Sequence, residues 1–168
     1  MNNKLLKWEI LGGIFLIIAG SFMHFVYSNF WPNIFTSLIA PINESVWEHM
    51  KLAYFPLFLF SILEYFILKT KNINRFFYIK ITEMYLIMFV TAISFYTYSG
   101  ILGYNLLAID ILTYFLAVIA GQIYSYKNLK SEIDKKYASS LNWILGIILI
   151  VAFSLFTFYQ PNIALFKF

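Results

Sequence analysis

The sequence predicts an all-α integral membrane protein of five transmembrane helices, and three observations carry that expectation. Hydrophobic residues make up 61% of the 168-residue chain and charged residues only 12%, about half of the roughly 25% found in a soluble domain. The apolar residues gather into five runs, each near the ~20 residues that cross a hydrocarbon core. The basic residues fall in alternate links between those runs, as the positive-inside rule requires. The same composition excludes disorder, which needs low hydrophobicity and high charge. The absence of cysteine excludes a disulfide-stapled module, thiol redox chemistry and thiolate metal sites.

Taken in order, the first span runs from about Trp8 to Ser28. Lys4 and Lys7 precede it as in a signal peptide, but the apolar stretch continues to Val26 with no small-x-small cleavage site, so a retained helix is expected. Residues 29–43 are apolar, bracketed by Pro32 and Pro41 and too short to cross. They are expected to lie in the outer interface or to enter it as a re-entrant segment whose backbone groups find partners in protein or trapped water. The remaining spans are read at about 52–68, 76–98, 104–126 and 141–159, so residues 1–168 form one transmembrane helical domain.

Charge orients the bundle. Lys4, Lys7, Lys69, Lys71, Arg75, Lys80, Lys127, Lys130, Lys135 and Lys136 fall on one side of this arrangement, and only Lys51 and Lys167 on the other. The N-terminus is therefore expected in the cytoplasm and the C-terminus outside. A multi-pass protein of a bacterial cytoplasmic membrane follows, with the lipid bilayer as its first partner. The basic loops serve topology in this reading, and no nucleic-acid partner is expected. Trp8 and Trp143 fall at the inner interface and Trp31 and Trp47 at the outer one, where amphipathic rings belong. Tyr85 and Tyr114 lie mid-span, so each phenol is expected to bond a neighbouring backbone carbonyl.

The densest polar run is Asn43, Glu44, Ser45, Val46, Trp47, Glu48, His49, Met50, Lys51. Asn43 is a good N-cap and Ser45 with Glu48 matches a capping box, so a helix should begin here and continue into the second span. At 100° per residue, Glu44, Glu48 and Lys51 would share one face with Phe55, and His49 would point about 100° away. Pro56 follows within about a turn and could kink the helix. His24 lies near the outer end of span one, and Asp110 roughly 9 Å in from the outer end of span four. Intramembrane ionisable residues face the bundle interior or a wet cavity. His24, Asn43, Glu44, Ser45, Trp47, Glu48, His49, Lys51 and Asp110 are therefore the candidates for an outward-facing pocket.

The run N-E-S-V-W-E-H-M-K-L-A-Y-F-P, followed by L-E-Y at residues 63–65 and preceded by His24, resembles the N-E-[ST]-x-W-E-H-x-K signature of DUF6512. That is an uncharacterised family of small bacterial polytopic membrane proteins. The resemblance covers most of the chain and implies a polytopic membrane fold, and it brings no activity, substrate or cofactor with it.

Three uses of the outer cluster stand side by side. In the plainest, Glu48 is a cap, Lys51 its neutralising neighbour, and the histidines interfacial hydrogen-bonding residues. In the second, the pocket binds a ligand without metal. In the third, His24, Glu48 and His49 hold a divalent ion such as zinc, with Glu48 the candidate catalytic general base. The spacing lacks an H-E-x-x-H, and two histidines cannot build a three-histidine site. Nucleophile-elbow, Walker, dinucleotide and phosphatase motifs are absent as well. A second polar set lies toward the cytoplasm: Glu64, with Lys80 and Glu83 spaced i, i+3, and Tyr65 and Gln122 at similar depth. Pairing and snorkelling account for it, although acids at both ends of a bundle are also what a proton or cation path needs.

The leading functional expectation is binding or transport of a small polar or amphiphilic solute through the outer pocket. The alternatives are a membrane-embedded, metal-dependent hydrolase of a lipid or lipid-linked substrate, with Lys51 on an anionic headgroup, and an interaction or scaffold protein with membrane-protein partners or a second copy of itself. The hydrolase requires His24, His49 and a carboxylate to converge within metal-ligand reach. The binding protein requires a cavity open to one side.

Overall fold

The computed structural model describes residues 2–131 and 139–167, which contain helices and turns but no strand. Helix α1 (Asn2–Phe25) runs directly into a π-helical turn (Val26–Phe30), and a short α2 (Ile34–Ile39) and a one-turn α3 (Val46–His49) follow. Four long helices complete the chain: α4 (Lys51–Leu68), α5 (Ile73–Leu102), α6 (Leu107–Lys130) and α7 (Ser139–Phe158), with a 3-10 turn at Ala164–Phe166. Among the described residues, five stretches are long and apolar enough to cross a membrane: Asn3–Phe30, Val46–Leu68, Ile73–Leu102, Leu107–Lys130 and Leu141–Phe158. The number of spans read from the sequence is thus met. The second begins at Val46, a turn and a half before the expected Leu52, because the polar motif is already helical. Lys135 and Lys136 lie outside the described residues.

The local sequence explains where these helices stop and start. Asn72 accepts from the backbone N–H of Arg75 at 3.0 Å to cap α5. Gly103, at φ 77°, ends that helix in the left-handed region, where a residue without Cβ is at no disadvantage. The expected fourth span starts three residues late, at Leu107, because the chain is still turning through 103–106. Between Pro32 and Pro41, Asn33 and Thr36 form a complete capping box for α2, so that segment satisfies its own first N–H groups.

Helices α1, α4, α5 and α6 form a closed ring in which α1 packs on α4 and α6, and α5 on α4 and α6; α7 lies outside it against α5. Leu16, Leu57, Met84, Ile87, Ala117 and Val118 fill the centre of the ring. Large apolar side chains such as Ile18, Phe22, Leu59, Phe66, Leu116 and Ile147 stay exposed on its outside, as a lipid-facing surface allows. Both mid-span tyrosines bond backbone carbonyls as expected. Tyr85 Oη lies 3.0 Å from Leu145 O, and Tyr114 Oη lies 3.1 Å from Leu16 O and 3.2 Å from Leu52 O. Leu52 is four residues before Pro56, so its carbonyl is the one that proline leaves without an N–H. A side chain from α6 thus restores the hydrogen bond that Pro56 removes from α4.

Candidate metal centre and solute pocket

Ser45, in extended conformation, is the N-cap of α3 and accepts from Glu48 N at 3.4 Å. Asn43 is not the cap. Its Oδ1 accepts from Ser45 N at 3.0 Å, and its amide donates to Gln160 Oε1 at 3.3 Å. The reciprocal half of the expected capping box is also absent, because Glu48 Oε2 accepts from Ile42 N at 3.0 Å instead. The helix therefore starts after Glu44, and Glu44 does not share a face with Glu48 and Lys51. The single pocket read from the sequence divides into two separate clusters for that reason.

The first cluster brings together His24 from the end of α1, His49 from the end of α3, and Glu44 from the loop before it. His24 Nε2 and His49 Nε2 are 3.0 Å apart, and Glu44 Oε2 lies 3.4 Å from the former and 3.3 Å from the latter. Donors held about 2.05 Å from a tetrahedral ion stand about 3.3 Å from one another, so these three atoms have the spacing of three corners around one metal. His49 Nδ1 lies 2.9 Å from the carbonyl oxygen of Ser45. That nitrogen must carry the hydrogen, which leaves the Nε2 lone pair facing the other two donors. The Glu44 side chain is 69% exposed, so the site can fill from the surface. His24, Glu44 and His49 all line a cavity of about 400 Å³ between α1, α4, α5 and α6. Leu52, Phe95, Leu107, Ile111 and Phe115 supply apolar wall, and Asn105, Asp110 and Thr113 supply polar groups. Asp110 accepts a short hydrogen bond from the Tyr98 hydroxyl.

The second cluster holds the residues that sequence reasoning placed at the chemistry. Glu48 and Lys51 are fully buried and 2.7 Å apart. Lys51 Nζ also donates to Ser37 O at 2.8 Å and to the Thr157 hydroxyl, which lies 3.1 Å from Glu48 Oε1. Trp47 is packed among Phe153, Phe156 and Phe166 and does not line the cavity. Glu48 is therefore engaged on both oxygens away from the histidines, and it is Glu44 that reaches them. Lys51 has no free ammonium to offer a headgroup. Thr157, which ties α7 to the motif, is a missed member of the cluster, and a lone hydroxyl in an apolar span gives little signal.

The inner polar set is larger than expected. Lys80 Nζ lies 2.7 Å from Glu64 Oε2, 3.1 Å from Glu83 Oε2 and 3.2 Å from Glu9 Oε2, with every side chain at least 97% buried. Glu9 was readable as a carboxylate one residue into an apolar span, and its Oε1 accepts from Ser125 Oγ at 2.7 Å. Tyr65 packs on Phe76 and Phe77.

The whole chain, residues 1–168, matches the family of unknown function DUF6512. The chain belongs to that family. No curated protein and no solved structure matches it. The family carries no assigned activity, and the two histidines, Glu44 and the cavity they line are the features of this chain that bear on function.

Proposed function

We propose that the protein binds an amphiphilic solute through a divalent metal, with zinc the best fit, held by His24, Glu44 and His49. The supporting observation is the triangle of donor atoms at 3.0, 3.3 and 3.4 Å on the wall of an apolar cavity. Two imidazoles and a carboxylate suit zinc, and three protein ligands leave its fourth position for a solute oxygen. The polar head of the solute sits at that position and beside Asn105 and Asp110. Its apolar part lies among Leu52, Phe95, Leu107, Ile111 and Phe115. In the orientation the basic residues favour, the N-terminus is cytoplasmic, the cavity opens on the outer side, and the segment carrying α2 lies in the outer interface.

Calorimetric titration of purified full-length protein with zinc tests the reading. One zinc per chain is expected, with affinity reduced at least about 10-fold in His24→Ala, His49→Ala and Glu44→Gln. Equal affinity in the three variants and the parent would overturn it. Hydrolysis is a second reading, favoured by Asp110 on the same cavity wall, where its carboxylate could take a proton from a metal-activated water. Zinc-dependent release of product from ester- or amide-linked lipids, lost in Asp110→Asn with zinc binding retained, would select hydrolysis over binding.

A further inference from the structure

The inner cluster has a charge imbalance that its own residues do not correct. Among the described residues, one ammonium, Lys80, faces three carboxylates: Glu9 from α1, Glu64 from α4 and Glu83 from its own α5. From α6 it is closed by Ser125, which donates to Glu9, and the ring of Phe76 lies 5.9 Å from the ammonium. Fully ionised, the group would hold two surplus negative charges inside the apolar ring, where an uncompensated ion is strongly disfavoured. An ammonium has three hydrogens, too few for all of the carboxylate oxygens. Among the described residues, Glu64 Oε1 and Glu83 Oε1 meet no donor.

A separate observation points to something bound. Gln122 is 9% exposed, and neither its amide nitrogen nor its amide oxygen has a hydrogen-bond partner among the described residues. It stands on α6 one turn before Ser125, and with Glu9 it lines a cavity of about 320 Å³ between α1 and α6. Glu83 reaches the same part of α6, its Cγ being 3.3 Å from where a Cβ on Gly121 would stand. Each of the four ring helices thus contributes polar groups to one layer, about 22 Å along α1 from His24 at 1.5 Å per residue.

We propose that this layer is a proton-binding site, in which two of the three carboxyl groups of Glu9, Glu64 and Glu83 hold exchangeable protons and Lys80 neutralises the third. Protons fit the geometry better than a metal cation, because the point common to the three carboxylates is already taken by the ammonium, which would repel one. Each added proton also turns a carboxylate into a donor, and Gln122 Oε1 and the unmatched carboxylate oxygens are the acceptors available to it.

Infrared spectra of the full-length protein in liposomes, recorded from about pH 5 to about pH 9, test this independently of the zinc site. The expected result is a protonated-carboxyl band at neutral pH that shifts in heavy water and persists in Glu44→Gln/Asp110→Asn. Glu83→Gln or Glu64→Gln should reduce its amplitude by about half, and Lys80→Met should raise it by about half, since neutrality then needs one proton and three protons respectively. The wild-type spectrum alone decides if those variants fail to fold. A neutral-pH spectrum without the band overturns the proposal, as does a band present in choline and absent in sodium, which would identify a cation site.

Discussion

Replacing Lys51 by methionine separates a structural role for the motif from a chemical one. The substitution removes the ammonium and keeps an unbranched side chain, with sulfur in place of one methylene. That ammonium lies 2.7 Å from Glu48 Oε2 and 2.8 Å from Ser37 O, with no exposure of either ionic side chain. Its loss leaves the Glu48 carboxylate buried with Ile42 N and the Thr157 hydroxyl as its remaining partners. Breaking a buried pair from one side costs about 3–5 kcal/mol. At about 2–4 °C per kcal/mol for a chain of this size, the midpoint of thermal unfolding should fall by roughly 6–20 °C. Glu48→Gln should also be destabilising, and the double variant should be less destabilised than the sum of the two by about 2 kcal/mol or more. Thermal unfolding in one detergent and one buffer measures all four corners of the cycle. Zinc affinity should be unchanged in folded Lys51→Met protein, because Lys51 touches none of the three donors. A midpoint within about 2 °C of the parent, or additive single effects, would refute the account of Glu48 and Lys51 as a locked pair.

The other predictions concern the metal and the helix junction. Zinc at 100 times its dissociation constant should stabilise the protein by about 2.7 kcal/mol, read as a rise in unfolding midpoint that His49→Ala abolishes. Zinc binding should weaken on acidification, measured by titration at stepped pH, because protons compete for both imidazoles. Tyr114→Phe should cost about 1–3 kcal/mol, since the Leu52 carbonyl, already left without an N–H by Pro56, would lose its substitute donor. Gly20→Ala should cost a similar amount through overpacking, because a Cβ there would stand 2.7 Å from Tyr114 Oη and 3.0 Å from Leu52 O; denaturant unfolding reads both.

The spans, and the bonding of Tyr85 and Tyr114 to carbonyls, were legible in the sequence because both follow from one requirement, that no polar backbone or phenol group goes unpaired in hydrocarbon. The common depth of His24 and His49 was legible from their places near the outer ends of successive spans. The identity of the carboxylate that joins them was not. Helical spacing put Glu44 with Glu48, but the N-cap at Ser45 leaves Glu44 outside the helix, and a shift of that boundary re-aims a side chain completely. Glu9 escaped for a different reason. Its partners, Lys80 and Ser125, are 71 and 116 residues away, and nothing in the sequence says which helices share a ring.

Ligation of one metal by His24, Glu44 and His49 can be read from X-ray absorption of the zinc-loaded full-length protein. The prediction is a coordination shell of nitrogen and oxygen at about 2.0–2.2 Å with outer-shell scattering from two imidazole rings, reduced to one ring in His24→Ala and in His49→Ala. A shell of oxygen alone, or a spectrum that neither substitution alters, would contradict it.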